Sequence, residues 1–281
     1  MKNKIYLITP AWLIKKKDFL SGIKKLNQLG FKILNKKFLK RTPSVKEKVK
    51  ELHQAFLNRE TEIILAQRGG FGSMKLLPGI NFELIKENPK IFAGFSDLSV
   101  FLNTIYERTG LVTYHSPMLI NLSNLKGIAL KSFLNAIGGN DKEKNLFAKV
   151  PVKVFKHGIA TGTLKGGNLI TLSALIGTEW ELETKNSILF FEEVDEKLYK
   201  VDRCLSQWFL AGKFRKIKGL ILGNFRGLKT SNIFAIIKEM IKVTFPVVYC
   251  PYLGHTKNKI TLPVGAKVKL NTYNKSLMLE K

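Results

Sequence analysis

The sequence contains few of the residues that would indicate a disulfide scaffold, a metal centre or a membrane span. Only two cysteines, Cys204 and Cys250, occur in 281 residues, and their spacing fits neither a disulfide framework nor a metal-ligand motif. No apolar run approaches the roughly 20 residues that cross a bilayer. We therefore predict a globular cytoplasmic protein that requires no metal and no other cofactor.

Acidic residues are also scarce. The chain has 21 Asp and Glu against 47 Lys and Arg, a formal net charge of +26, which makes nucleic acid a partner to consider. The lysines are spread along the whole chain, however, and form no basic stripe interleaved with aromatic residues. We predict neither a nucleic-acid nor a membrane partner, and we expect the positive charge to attract small anionic substrates.

The first 118 residues alternate between strand and helix patterns. Strands are predicted at 4–9, 31–34, 62–66, 91–94 and 111–114, and helices at 16–28, 45–58, 81–87 and 97–108. This alternation is typical of an α/β fold with a mostly parallel sheet covered on both faces. Ligands of such sheets gather at the carboxyl ends of the strands.

The rest of the chain predicts a second domain, as expected for a length of about two average domains. Residues 119–157 are less regular and rich in lysine, with a predicted turn at Gly138–Asp141, and we assign them to a connecting region. Residues 158–281 mix helix patterns with short strands. The predicted organisation is therefore 1–118, 119–157 and 158–281.

Two sites at strand ends could carry chemistry. Ser96 follows the predicted strand 91–94 and opens an amphipathic helix, where it could act as a nucleophile or only cap the helix. The segment Gln67–Ser73 follows another strand with three glycines in four residues. Its backbone N–H groups could approach a ligand, or the segment could be only a tight turn.

A nucleophilic serine needs a base and an acid that orients the base. Among the histidines, His53 fits a surface helix and His157 a turn, whereas His115 and His255 follow strands and compete evenly as the base. The buried apolar run 187–191 ends in two acids, Glu192 and Glu193. One of them should meet a cation or a histidine if it is buried, although from the residues alone a solvated loop start explains them slightly better.

Motifs along nearly the whole chain, in family order, closely resemble the LD-carboxypeptidases of serine peptidase family S66. The motifs are Arg68–Ser73, Asn88–Lys90, Gly94–Asp97, Thr109–Met118, Gly166–Leu169, Phe191–Val194, Val201–Arg203, Gly254–His255 and Leu262–Gly265. The resemblance implies a flavodoxin-like N-terminal domain and a smaller, swivelling β/α C-terminal domain, in a homodimer. The opening Thr9-Pro10-Ala11 departs from the more usual Pro-Ser of the family.

The resemblance also implies a catalytic triad split across the two domains. Its serine falls on Ser96, its histidine on His255 and its glutamate on Glu192, with Glu193 as the alternative acid. The implied oxyanion hole consists of the backbone N–H groups of Asp97 and Gly70.

The substrate implied by the resemblance is a murein tetrapeptide, from which hydrolysis of the L,D amide bond through an acyl-enzyme releases the terminal D-alanine. A carboxypeptidase must also pair the free carboxylate of its substrate with a cation or N–H groups. Arg203 is a candidate, although an ion pair with Asp202 would also explain it, and His115 would line the site or play a structural role.

Two other functions fit the same sequence. One is an immunity-type amidase of the same family, resembling microcin C self-immunity proteins, in which Trp180 or Trp208 could supply an aromatic platform if it does not lie in the core. The other is a non-enzymatic, basic, nucleic-acid-binding protein on a related fold.

Overall fold

The computed structural model describes residues 3–36, 38–138 and 144–280. The chain forms two compact units, Met1–Asp141 with Thr261–Pro263, and Lys142–Ile260 with Val264–Lys281. Residues 139–141 of the predicted Gly138–Asp141 turn lie outside the described residues.

The helices and strands follow the hydrophobic patterns of the sequence. In chain order, the strands are β1 (Lys4–Ile8), β2 (Lys32–Ile33), β3 (Ile63–Ala66), β4 (Ile91–Gly94), β5 (Thr113–His115), β6 (Lys153–Lys156), β7 (Ile159–Asn168), β8 (Ser187–Val194), β9 (Gly219–Arg226), β10 (Val247–Tyr249), β11 (Leu262–Val264), β12 (Lys267–Asn271) and β13 (Ser276–Leu279). The α-helices are α1 (Lys16–Gln28), α2 (Val45–Leu57), α3 (Phe82–Glu87), α4 (Ser99–Thr109), α5 (Leu119–Leu122), α6 (Gly127–Ile137), α7 (Leu169–Ser173), α8 (Leu198–Leu210) and α9 (Thr230–Met240). None of the helices in the described residues is long and apolar enough to cross a membrane.

The first unit is built on a six-stranded sheet with the order β11-β5-β4-β3-β1-β2. The pairs β1–β2, β1–β3, β3–β4 and β4–β5 are parallel. The strand order 2-1-3-4-5 within this sheet is that of flavodoxin-like folds. The predicted α/β fold with a parallel N-terminal sheet is therefore confirmed.

The second unit contains a seven-stranded sheet with the order β13-β12-β7-β8-β9-β10-β6. Its centre, from β7 to β10, is parallel, whereas β6, β12 and β13 are antiparallel to their neighbours. The apolar run of β8 is completely buried, as expected for a central strand with both faces covered. Helices α7, α8 and α9 contribute Leu169, Val201 and Ile233 to the core around it.

Residues 119–137, assigned from the sequence to a connecting region, instead belong to the first unit as α5 and α6. Their apolar side chains Leu119, Leu122, Phe133 and Ile137 join the same core as β1. The lysines of this segment obscured a helical spacing of apolar residues that buries one face.

The chain returns to the first unit at Thr261–Pro263. The returning segment forms most of β11, which lies beside β5 at the edge of the first sheet. The backbone N–H of Thr261 donates a hydrogen bond of 2.9 Å to the hydroxyl of Ser132 on α6. The last strand of this sheet is thus supplied by a segment more than 140 residues beyond β5.

Candidate active site

Ser96 occupies a strained turn between β4 and α4. Its φ is +65°, in the left-handed region that serine rarely adopts. The preceding Phe95 is extended, and a short 3-10 helix, Ser96–Leu98, leads into α4. A sharp strand-to-helix turn of this kind presents a nucleophilic hydroxyl in many hydrolases, and backbone strain tends to concentrate at functional sites.

The glycine-rich turn after β3 packs directly against Ser96. A Cβ atom added to Gly69 would lie 3.0 Å from the Cβ and 3.1 Å from the Oγ of Ser96. A side chain at this position would force Ser96 to shift by a few tenths of an ångström, so glycine lets the two turns approach this closely. The sequence marked the glycine-rich turn as a whole, but it did not single out Gly69 as the residue in contact with the serine.

The Asp97 side chain links the same two turns. It is buried, and its Oδ2 accepts a 2.9 Å hydrogen bond from the backbone N–H of Ser73. This bond joins the end of the glycine-rich turn to the residue after Ser96, so the side chain of Asp97 fixes the geometry of the two loops. The group predicted for the oxyanion hole is a different one, the backbone N–H of Asp97.

His255 and Glu192 form a hydrogen-bonded pair in the second unit. The Nδ1 of His255 lies 2.6 Å from Oε2 of Glu192, and the backbone N–H of His255 donates to the same oxygen at 3.2 Å. The Glu192 side chain is 0% exposed and that of His255 is 19% exposed. With Nδ1 donating to the carboxylate, Nε2 becomes the nitrogen able to take up a proton.

Gly254 makes room for this pair. Its φ is +94°, and an added Cβ would lie 2.4 Å from both Cβ and Oε2 of Glu192. A side chain at this position would therefore collide with the carboxylate that holds the imidazole. The glycine beside the histidine provides space for the acid.

Glu193 has a different set of partners. Its carboxylate accepts hydrogen bonds from Asn168 Nδ2 at 2.7 Å and from the backbone N–H of Ile170 at 2.9 Å. Burial raises the pKa of Glu193. Successive strand residues point to opposite faces of a sheet, so Glu192 meets the histidine while Glu193 binds the start of α7.

Two charged groups near the pair carried no signal in the sequence. Lys259 is buried, and burial lowers its pKa to about 8, while the Glu192 carboxylate opposes this shift. Asp195 forms a two-bond ion pair with Arg226, and the hydrogen bond from Arg226 lowers the pKa of Asp195, with a smaller contribution from His255. Folding brings Asp195 under the influence of His255 and brings Lys259, four residues after that histidine, under the influence of Glu192.

His115, Arg203 and Trp208 each contact other groups of the protein. His115 is buried and contacts the ring of Phe95 edge-on, with centroids 5.6 Å apart. Arg203 is exposed on α8, its guanidinium 5.1 Å from the centre of the Tyr199 ring. Trp208 is buried and donates from Nε1 to the Ser173 hydroxyl at 2.8 Å, so it belongs to the core, whereas Trp180 is half-buried.

The structure thus places the predicted serine in the first unit and the predicted base and acid in the second. Ser96, Asp97 and the glycine-rich turn form one cluster, and His255 and Glu192 form the other. In the part of the chain that the structure describes, no three His, Cys, Asp or Glu side chains are grouped as metal ligands.

Comparisons with known proteins agree with the motifs. Residues 5–116 match the LD-carboxypeptidase N-terminal domain of peptidase family S66, and residues 161–270 match its C-terminal domain. A probable murein peptide carboxypeptidase of Bacillus subtilis is 30% identical over 99% of this chain and 92% of its own length. The microcin C7 self-immunity protein of Escherichia coli is 28% identical over 96% of this chain and 90% of its own length.

A solved structure extends the match to three dimensions. The muramoyltetrapeptide carboxypeptidase from Oxalobacter formigenes superposes with a TM-score of 0.83 and 26% identity, covering 99% of this chain and 98% of that one. The family resemblance and the class of enzyme predicted from the motifs are confirmed. The chain belongs to the LD-carboxypeptidases of peptidase family S66.

Proposed function

We propose that this enzyme is a serine carboxypeptidase that removes the terminal D-alanine from a murein tetrapeptide during cytoplasmic cell-wall recycling. The observation that carries the proposal is the 2.6 Å hydrogen bond between Nδ1 of His255 and Oε2 of the buried Glu192 carboxylate. This is the base-and-acid half of a hydrolytic triad. The strained Ser96 turn in the first unit supplies a nucleophile of the matching kind.

In the proposed reaction, Nε2 of His255 accepts the hydroxyl proton of Ser96 while Oγ attacks the carbonyl carbon of the L,D amide bond. The imidazolium then protonates the amine of the departing D-alanine as the C–N bond breaks. Water, deprotonated by His255, hydrolyses the resulting acyl-enzyme and regenerates the serine. Glu192 keeps the imidazole in the required tautomer and stabilises its charged form.

The proposed oxyanion hole consists of the N–H groups of Asp97 and Gly70, each worth about 3–4 kcal/mol in reactions of this type. The orientation of the Gly69–Gly70 peptide supports the second donor. The Gly69 carbonyl accepts the N–H of Trp12 at 3.3 Å, and the peptide is trans because no described peptide is cis. The Gly70 N–H therefore points away from Trp12.

The proposal assigns the substrate carboxylate to Arg203. This arginine is exposed, and a guanidinium can bind a carboxylate with two parallel hydrogen bonds. His115 is assigned a structural role, because its ring is buried against Phe95. A homodimer completes the proposal, since the family resemblance implies one.

A second candidate function is hydrolysis of a peptidyl-adenylate mimic, as the similarity to the microcin C7 self-immunity protein over 96% of the chain suggests. This activity would use the same serine, histidine and glutamate. Trp208 lies in the core, which leaves Trp180 as the predicted aromatic platform.

The decisive experiment measures D-alanine release from a murein tetrapeptide, with a peptidyl-adenylate mimic assayed in parallel. We expect release by the wild type and a loss of at least roughly 10⁴-fold in kcat for Ser96→Ala. Ser21→Ala, at a half-buried serine on α1, is the matched control and should keep wild-type activity.

Equal turnover by Ser96→Ala and the wild type would exclude a serine mechanism. Hydrolysis of the adenylate mimic without D-alanine release would favour the second function. Tight nucleic-acid binding at physiological salt, without turnover of either compound, would instead favour the third alternative, a non-enzymatic, basic, nucleic-acid-binding protein.

A further inference from the structure

The loop that follows β1, residues 9–12, is held against α2 by two charged side chains. The Glu51 carboxylate accepts the backbone N–H of Thr9 at 2.7 Å. The Lys48 ammonium donates to the Ala11 carbonyl at 2.6 Å. Lys48 is only 7% exposed, whereas lysine is almost never buried without a partner. The position of this ammonium group therefore calls for an explanation beyond packing.

The same loop sets the direction of the proposed Gly70 donor. The residue after Ala11, Trp12, donates its backbone N–H to the Gly69 carbonyl at 3.3 Å. Because the C=O and N–H of a trans peptide point in opposite directions, the hydrogen bond that holds the Gly69 carbonyl also orients the Gly70 N–H. Two consecutive hydrogen bonds thus connect the Lys48 ammonium to this donor.

The second proposed donor, the N–H of Asp97, belongs to a residue with a negative side chain. The Asp97 carboxylate is buried and accepts the N–H of Ser73 at 2.9 Å. It would repel the negative charge that develops on the substrate oxygen, since charges interact strongly away from water. Burial lowers the pKa of Lys48, and the carboxylates of Asp97 and Glu51 oppose this shift, which Lys75 reinforces. The buried ammonium is therefore within electrostatic range of the Asp97 carboxylate.

We propose that Lys48 is a positioning residue for the oxyanion hole. Its ammonium group holds the Gly70 donor in place through the loop, and it offsets the negative charge of the Asp97 carboxylate. This inference rests on the proposed function. Both effects matter most when the substrate oxygen becomes negative, so they stabilise the transition state more than the bound substrate. Loss of Lys48 should therefore lower kcat more than it raises KM.

The test measures D-alanine release by variants of Lys48. Lys48→Met removes the ammonium group and keeps a long unbranched chain, and we expect kcat to fall roughly 10²-fold while KM changes less than about threefold. Lys48→Arg keeps the charge and the hydrogen-bond donors and should recover most of the lost kcat. Lys50→Met, at an exposed lysine of the same helix, is the matched control and should keep wild-type kinetics. A Lys48→Arg enzyme as slow as Lys48→Met would overturn the inference.

A second measurement separates positioning from a folding defect. The probe is a tripeptide boronic acid, the acyl part of the substrate with a boronic acid in place of its terminal carboxyl group. Its boron accepts a bond from Oγ of Ser96, whose proton passes to His255, and an oxygen of the anionic adduct occupies the oxyanion hole. Lys48→Met should raise the Ki of this probe roughly 10²-fold. The Kd of the intact tetrapeptide, measured in Ser96→Ala with and without Lys48→Met, should change less than about threefold.

The two probes also separate failure of the inference from failure of the proposed function. Equal weakening of the boronic acid and the tetrapeptide by Lys48→Met, or no change in either, would overturn the inference while leaving the proposed function standing. If the wild type neither releases D-alanine nor binds the boronic acid, the proposed function fails and the inference fails with it.

Discussion

The two halves of the proposed catalytic machinery are built in opposite ways. Ser96 depends on backbone conformation, with a φ of +65° and a glycine-rich turn packed against it. The His255–Glu192 pair depends on a completely buried carboxylate and one short hydrogen bond. Each half also has one glycine, Gly69 or Gly254, at the point of closest approach, and the space is tighter at Gly254.

The difference shows which kind of change each half tolerates. The serine turn stores local strain, which the surrounding loops must offset. The acid and base instead rely on charge in a buried environment, where an unmatched carboxylate is costly. Small changes of charge should therefore damage the second half most, and changes of loop shape should damage the first.

The largest expected effect separates Glu192 from its neighbour. Glu192→Gln removes the carboxylate that orients His255, and we expect kcat to fall by roughly 10³–10⁴-fold. Glu193→Gln is the matched control, because it changes a group bound to Asn168 and α7. It should lower thermal stability and leave kcat close to the wild-type value. Comparable losses of kcat in both variants, measured by D-alanine release, would contradict the assignment of the acid.

The next effect tests the space beside the acid. Gly254→Ala places a methyl group 2.4 Å from Glu192 and should displace the carboxylate, with a loss of roughly 10²-fold in kcat/KM. Gly177→Ala has a similar φ of +87° but meets no atom within 4 Å, so it adds the backbone strain without the collision. If both variants lost the same activity, strain alone would account for the effect.

The smallest effect concerns Lys259, whose buried ammonium has a pKa of about 8, below the usual 10.5. Between these two pH values the unfolded chain binds more protons than the folded one, so the free energy of unfolding should increase from pH 8 to pH 10. Lys259→Met should lack this contribution, on the order of 2 kcal/mol. Urea unfolding of both proteins at pH 8 and pH 10 measures this contribution. An equal change in the free energy of unfolding for the wild type and the variant would contradict the prediction.

Most of the fold could be predicted from local patterns. Helices α1 and α2 and strands β1 and β4 lie within one residue of their predicted positions, because apolar periodicity and end signals act within a few residues. The pairing of β11 with β5 could not be predicted, because the two strands are far apart in the sequence. The helices of 119–137 were missed because lysines interrupted their apolar spacing.

The candidate site also contains residues that local sequence patterns predicted and residues that only long-range packing determines. Periodicity and residue type marked Ser96, the glycine-rich turn and the two acids, but left the choice between His115 and His255 open. The hydrogen bond to Glu192 favours His255 in the structure, and it joins residues 63 positions apart. Lys259 and the Asp195–Arg226 pair had no signal in the sequence, since only tertiary packing buries Lys259 under the influence of Glu192 and brings Asp195 under that of His255.

The strand β11 has a consequence for dissecting the protein. A fragment ending after α6 would lack Leu262 and Pro263, and with them the edge strand of its own sheet. It would expose the unpaired backbone of β5, a template for intermolecular pairing. Truncation after α6 should therefore cause aggregation. For the first unit to fold alone, the sequence of β11 would have to be joined to the fragment by an engineered linker.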